Sequence, residues 1–401
     1  MREGSIALAV VDLARQERFA EIEALFAPPL RAVVSADTVR AGWSIESARI
    51  GPVTAIGPPV PEPAAGGLVR VVVAVTGERG GLTVAMSVDR DGRLHGLRLA
   101  PPAGPSWVAP EYVKPRRFTE REVVVGDGAH AVPGTLTLPR RRGPRPGVVL
   151  LGGGGPFDRD GTSGPGKPLK DLAWGLASRG VAVARFDKLT QVYARTAGEP
   201  GFTMVDEYLP HAVAAVRLLR PYCGRVFLLG HSAGGRVAPR IASAEPSIAG
   251  LVILAGDAAP LAPAALRVAR HLAADYGDGA AAVESLARQA AVADSPDLSP
   301  ATPAAELLFG WPASYWLDLR RYDQVGTAAA LDKPMLILQG GRDHQVTVED
   351  DLARWQAGLA QRADVTFRVY ADDDHFFFGG DQHVDPAVVT DVAQWLLARN
   401  S

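Results

Sequence analysis

From about residue 118 onward, short apolar runs recur without polar alternation: Gly147–Leu151, Val181–Phe186, Val226–Leu229, Leu251–Ala255, Pro334–Leu338 and Val365–Tyr370. Successive side chains of a strand point to opposite faces, so a strand with one wet face alternates apolar and polar residues. A strand that is apolar throughout must be covered on both faces, the condition of parallel strands joined by crossover helices. Segments of helical character lie between the runs. The pattern predicts an α/β domain with a mostly parallel, doubly wound sheet. Phe118–Val125 and Gly134–Leu138 read as its antiparallel start. The interval from Ala255 to Pro334 is too long for a crossover and is mostly Ala-rich with Pro breaks. It predicts a helical insertion at about 257–330, a lid over the carboxyl edge of the sheet.

The first part of the chain has a different rhythm. Residues 5–27 carry apolar positions at roughly helical spacing, and Pro28-Pro29 closes that stretch. Strand-like runs follow at Trp43–Ile50, Val69–Val75, Leu82–Val88 and His95–Leu99, with hairpin signals at Gly80-Gly81 and Asp91-Gly92. This predicts a small α+β domain over 1–105, a Pro-rich linker over 106–117 and the α/β domain over 118–401. A chain of 401 residues that is 47% hydrophobic can bury two such cores.

Composition removes several functions. A net charge of −2 argues against a nucleic-acid binder. The single cysteine, Cys223, excludes an internal disulfide and a cysteine-built zinc site. Ile6–Val11 is too short for a signal-peptide core, and no run is long enough to span a membrane. Cytoplasmic location is the default expectation, with a signal removed before residue 1 left open.

The chemistry centres on LLGHSAGGR, residues 228–236, which contains Gly-x-Ser-x-Gly around Ser232. The motif alone is a weak signal in a glycine-rich chain and needs a strand before it and a helix after it. Val226–Leu229 supplies the strand and Arg236–Ala244 the helix, so Ser232 reads as a nucleophile on a sharp turn. A serine hydroxyl needs a positioned base. In this fold class the order along the chain is Ser, acid, His, which removes four of the eight histidines: His95, His130, His211 and His231. His271 reads as a helix-surface residue of the insertion. Of His344, His375 and His383, His375 is favoured, because it follows the last strand in ADDDHFFFGG. Asp343, on a Gly-Gly turn after Pro334–Leu338, is favoured as the acid, with Asp257 as the alternative. Two backbone N–H groups are needed to hold an oxyanion. Ala233, next after the serine, offers one, and Gly154 or Gly155 in the run Gly152-Gly-Gly-Gly-Pro156 offers the other.

Taken together, GGGGPFDRDG (152–161), KPLKDLAWGLASRGVAVARFDKLT (167–190), LLGHSAGG (228–235), LILQGGRDHQV (336–346) and DDDHFFF (372–378) make the chain resemble α/β-hydrolases of the serine esterase type. It is similar to bacterial two-domain members with a small DUF3887-like N-terminal domain. The resemblance implies Ser232, Asp343 and His375 as a triad acting on carboxylic esters or related acyl compounds without cofactor or metal. Those relatives usually have Gly-Ser-Gly-Pro where Gly153-Gly-Gly-Pro156 stands here, and Arg where Leu189 stands. Asp158, Arg159 and Asp160 read as a brace for the glycine loop. Trp311, Tyr315 and Trp316 read as core or as the wall of an acyl pocket. The expected substrate is a small-molecule ester, lactone or thioester. Acyl transfer or cyclisation on the same fold is the alternative outcome, and a homodimer is an open assembly.

Overall fold

The computed structural model describes residues 2–63, 67–100, 107–140, 143, 145–276 and 280–400. The chain divides into two compact units, Met1–Ser106 with Ala265–Ala313, and Trp107–Ala264 with Ser314–Ser401.

The first unit holds a five-stranded antiparallel sheet of β1 (Val53–Ile56), β2 (Val60–Pro63), β3 (Val69–Gly77), β4 (Gly80–Val88) and β5 (Leu94–Ala100). β1 and β2 both pair with β3. Its core joins Val10, Phe19, Ile22 and Trp43 from the helices to Val73, Leu82 and Met86 from the sheet. The helix expected over 5–27 is two helices, Arg2–Arg15 and Phe19–Ala24, separated at Glu17, whose φ is 57°. The strand expected at Trp43–Ile50 is instead the second half of a helix, Ala36–Ile50. Its ends explain the difference. Ser35 Oγ accepts the Thr38 N–H, and Gly51, at φ 74°, lets the chain leave. Val39, Trp43 and Ile50 then share one buried face.

The insertion expected at about 257–330 within the α/β domain is divided. Ala265–Ala313 belongs to the first unit, where the helix Ala280–Asp294 packs on Ala36–Ile50. Ala282, Ala290 and Ala293 of that helix are buried, and small side chains allow close backbone approach. The linker expected over 106–117 is also partly fixed. Trp107 donates from Nε1 to Asp171 Oδ1 at 2.8 Å and meets the Trp174 ring edge-on at 5.0 Å. Its Pro-rich lead-in, 101–106, lies outside the described residues.

The second unit is built on an eight-stranded sheet: β6 (Phe118–Val125), β7 (Val132–Pro139), β8 (Gly147–Leu151), β9 (Ala182–Phe186), β10 (Val226–His231), β11 (Ile248–Leu254), β12 (Met335–Gly340) and β13 (Val365–Tyr370). The order is β13-β12-β11-β10-β8-β9-β7-β6. It is parallel from β13 to β9 and antiparallel where β7 joins β9 and β6. β8, β9, β10 and β12 are buried at every residue, the condition their unbroken apolar runs require. On one face Val148, Leu150, Phe227, Leu229, Leu336 and Leu338 pack with the helices Pro168–Ser178 and Pro386–Ala398. The helices Met204–Leu219 and Ala233–Ala244 contact the sheet at β8, β9, β10 and β11. From β8 the chain goes to β9 on one side and then crosses to β10 on the other side of β8. The winding therefore reverses at the β8–β10 crevice, where open α/β sheets bind ligands. Among the described residues no helix is long and apolar enough to cross a membrane.

Candidate active site

β10 ends at His231, and Ser232 holds φ 54° and ψ −121° at the mouth of the helix Ala233–Ala244. That left-handed backbone costs a non-glycine residue about 1–3 kcal/mol and persists only where the surroundings impose it. Here the Ser232 N–H is tied to Leu254 O at 2.9 Å, and its carbonyl accepts from Gly235 N and Arg236 N at 2.8 and 3.0 Å. The turn closes only with glycine at 234, because a Cβ there would sit 2.6 Å from Leu151 O. The first N–H groups of a helix have no intrahelical acceptor, and Ala233 is the first residue of this one.

The loops after β12 and β13 interlock. Gly341 N donates to Tyr370 O at 2.7 Å and Arg342 N to Asp373 O at 2.9 Å. A Cβ on Gly341 would meet Ala371 O at 2.6 Å, so the Gly-Gly turn is what permits this approach. The interlock delivers Asp343 Oδ2 to within 2.7 Å of His375 Nδ1. Asp343 is held in turn by Gln345 N and Val346 N on Oδ1 and by Gln339 Nε2 on Oδ2. Burial pushes its carboxyl up. The charge and hydrogen bond of His375 and the two amides outweigh that, and its pKa lies below the ordinary carboxylate range.

His231 ties this pair to the serine turn. Its Nε2 lies 2.8 Å from the His375 carbonyl, which can only accept, so His231 donates from Nε2. The two rings lie 4.7 Å apart, and Phe376 stacks on His231 at 5.4 Å. Burial, then the neighbouring charge of His375, pushes the His231 pKa down to about 3. It is a neutral brace. The chain-order rule removes His231 as a base, and nothing local in the sequence reveals this bracing contact.

Leu151 of β8 is level with Gly230 of β10, so the glycine run enters beside the serine. A Cβ on Gly153 would lie 3.3 Å from Ser232 Cβ, and one on Gly154 would lie 3.8 Å from Ala233 Cβ. Gly155 has φ 98°. The carbonyls of Gly152 and Gly153 turn into the protein. Tyr208 Oη lies 3.1 Å from Gly152 O and 2.9 Å from Gly153 O, and Lys188 Nζ donates to Gly153 O at 2.7 Å. In a trans peptide the N–H points opposite to the preceding carbonyl. The Gly154 N–H is therefore directed away from Lys188 and Tyr208, a constraint that does not act on Gly155.

The remaining candidates separate clearly. Asp257 pairs with Arg236 at 2.5 Å, and Asp343 holds His375. His383 pairs with Asp171 at 3.1 Å. Asp158 accepts from Thr162 N and Oγ1, Arg159 pairs with Asp187, and Asp160 pairs with Arg185 and Lys167. These contacts stiffen the loop that follows the glycines. Tyr315 and Trp316 are core residues, 3% and 2% exposed, and the Tyr315 hydroxyl donates to Glu207 Oε2 at 2.7 Å. Trp311 belongs to the other compact unit, with its ring 5.0 Å from Phe309. Lys188 lies in the motif stretch 167–190, at the end of a strand, but Glu207 and Tyr208 carry no recognisable motif, and all three are linked to the glycine run by the fold.

Residues 166–382 match the family described as "Serine aminopeptidase, S33". Esterase EstD of Thermotoga maritima is 32% identical over 338 residues, covering 80% of this chain and 77% of EstD. Among solved structures, a proline iminopeptidase of Mycobacterium smegmatis is 21% identical with a TM-score of 0.49, covering 70% of this chain and 99% of its own. Est1E of Butyrivibrio proteoclasticus is 16% identical with a TM-score of 0.48, covering 69% of this chain and 98% of its own. The family match takes in more than half of the chain, including the serine turn and both interlocked loops, and the strand order is that of the fold. The chain therefore belongs to the serine aminopeptidase S33 family of α/β-hydrolases, and it is a hydrolase.

Proposed function

We propose that the protein hydrolyses a carboxylic ester through an acyl-enzyme on Ser232, with His375 as general base and acid and Asp343 as the group that orients it. The observation that carries this reading is the 2.7 Å Asp343–His375 bond beside a serine held in a left-handed turn. The likeness to an esterase over most of the chain favours an ester among acyl substrates.

In the reaction, Ser232 Oγ attacks the acyl carbon while His375 Nε2 takes its proton. Asp343 accepts from His375 Nδ1, which fixes the tautomer with a free Nε2 and stabilises the imidazolium that forms. The tetrahedral oxyanion is held by the N–H groups of Ala233 and Gly154. His375 then protonates the departing alkoxide, the C–O bond breaks, and the acyl-enzyme remains. Water attacks next, giving its proton to His375. The acid leaves and Ser232 Oγ recovers the proton. The N-terminal unit, with its helices on a small antiparallel sheet, is read as DUF3887-like.

Intact-protein mass after exposure to a fluorophosphonate, followed by a panel of short acyl esters, tests the proposal. Wild type should gain one adduct and turn over esters. Ser232→Ala should gain none and lose turnover by about 10⁴-fold or more. Undiminished ester turnover by Ser232→Ala would sink it. Product mass separates hydrolysis, which adds water, from cyclisation, which does not.

A further inference from the structure

Behind the glycine run, on the side away from the serine, lies a fully connected buried polar network. Lys188 follows β9 and is 4% exposed. Its ammonium has three protons and three acceptors: Gly153 O at 2.7 Å, Tyr208 Oη at 2.8 Å and Glu207 Oε1 at 3.0 Å. Glu207 and Tyr208 are neighbours on the helix Met204–Leu219, whose start is fixed by a Thr203–Asp206 capping box. Glu207 Oε1 also accepts from Thr190 Oγ1 at 2.9 Å, and Oε2 from Tyr315 at 2.7 Å. The Tyr208 hydroxyl accepts a hydrogen bond from Lys188 Nζ and donates its own to the carbonyls of Gly152 and Gly153. Burial first, then the Glu207 charge, raises the Tyr208 pKa well above the phenol range, so the hydroxyl stays a donor.

A buried ion pair is weak evidence for stability, since desolvation offsets much of the attraction. A satisfied network does fix geometry, because every member has one arrangement that leaves no group unpaired. What this one fixes is the orientation of a single peptide. A peptide between two glycines has no side-chain barrier to rotation, and in solution it would flip freely. With its carbonyl clamped by a cation and a phenol, the Gly153–Gly154 unit must aim its N–H outward.

We propose that Lys188 and Tyr208, held by Glu207, are positioning residues for the oxyanion hole: by clamping the Gly153 carbonyl they aim the Gly154 N–H at the developing negative charge. The inference rests on the esterase reading above and extends it to residues that touch no substrate. A positioning role affects the transition state more than the ground state. Loosening the clamp should lower kcat and leave KM nearly unchanged.

The test uses Tyr208→Phe, Lys188→Met and Lys188→Arg in the full chain. It measures kcat and KM on an ester turned over by wild type, inhibition by an alkyl trifluoromethyl ketone, and the thermal midpoint. The ketone forms a tetrahedral adduct and reads the oxyanion hole directly. Tyr208→Phe deletes one oxygen and should lower kcat about 10-fold, with KM within about 2-fold and ketone affinity reduced in step with kcat. Lys188→Met should lose about 100-fold, near the loss of an oxyanion donor, and Lys188→Arg should recover part of it. If Lys188→Met fails to fold, Tyr208→Phe alone decides. A folded Tyr208→Phe with wild-type kcat and ketone affinity overturns the proposal, as does a loss confined to KM. Fluorophosphonate labelling of wild type at Ser232 separates the two readings. With labelling intact, an unaffected Tyr208→Phe refutes the clamp only. Without labelling, the esterase reading fails and the clamp fails with it.

Discussion

At the scale of the residue, the site depends on groups whose protonation is set by burial. His231 is the clearest. With a folded pKa near 3 and an ordinary value of 6.5, it stays neutral in the fold where the unfolded chain takes up a proton. Between those values the unfolded state binds more protons, so this group's contribution to stability is full above about pH 6.5 and is lost as the pH falls. The slope reaches about 1.4 kcal/mol per pH unit inside that window. His231→Gln can still donate to the His375 carbonyl but cannot titrate. Urea midpoints from pH 7 to pH 4 should fall less steeply for this variant than for wild type. Equal slopes would mean that His231 is not buried neutral. Ser232, Asp343 and His375 were legible as candidates because each sits in a short local pattern and the chain order of such sites is fixed. Asp257 competed for the acid on sequence alone. Its partner, Arg236, is 21 residues away in sequence and meets it only in the folded chain.

At the scale of the element, the loop after β13 carries a cost. Asp373 is 2% exposed, and among the described residues its Oδ2 has no hydrogen-bond partner. Burial, then the charges of Asp385, Asp374 and Asp372, pushes its pKa up to about 6. A carboxyl raised in this way favours the folded state at low pH and loses that contribution as the pH rises from about 4 to 6. Above that range a buried charge remains. Asp373→Asn keeps the shape without the charge, so it should raise the thermal midpoint at pH 8 and have little effect at pH 4. A lower midpoint at pH 8 would show that the carboxylate makes a contact that outweighs its repulsion. The effect runs opposite to that of His231 over part of the same range, and comparing each variant with wild type isolates each group. Element types in the α/β region followed from runs of buried apolar residues. Trp43–Ile50 did not, because its apolar spacing fits a short strand and the decision lay in the Ser35 cap and the Gly51 exit.

At the scale of the whole molecule, the first compact unit is discontinuous in sequence, since Ala265–Ala313 completes what Met1–Ser106 begins. Deleting residues 1–106 alone should strand the helix Ala280–Asp294 without its partner Ala36–Ile50 and expose its alanine face. Deleting both segments, with a short Gly/Ser link from Ala264 to Ser314, should leave the eight-stranded unit folded. Circular dichroism melts and size-exclusion chromatography of the two deletions check this. A single deletion that melts as cooperatively as the double one would show that Ala265–Ala313 holds its structure unaided.

The sequence by itself determined what depends on local pattern. Unbroken apolar strands demand a covered parallel sheet, and Gly-x-Ser-x-Gly between a strand and a helix demands a strained turn. An acid and a histidine after later strands come to one sheet edge because parallel strands all end there. Tertiary structure alone decided what depends on partners distant in the chain. The sequence left Gly154 and Gly155 equal, and the difference lies in which carbonyl Lys188 and Tyr208 hold. The sequence favours core for the aromatics Tyr315 and Trp316 but leaves a pocket role open, and packing buries both. A hydrogen bond to a backbone carbonyl leaves no mark on the residue that accepts it, so such contacts exist only in the folded chain.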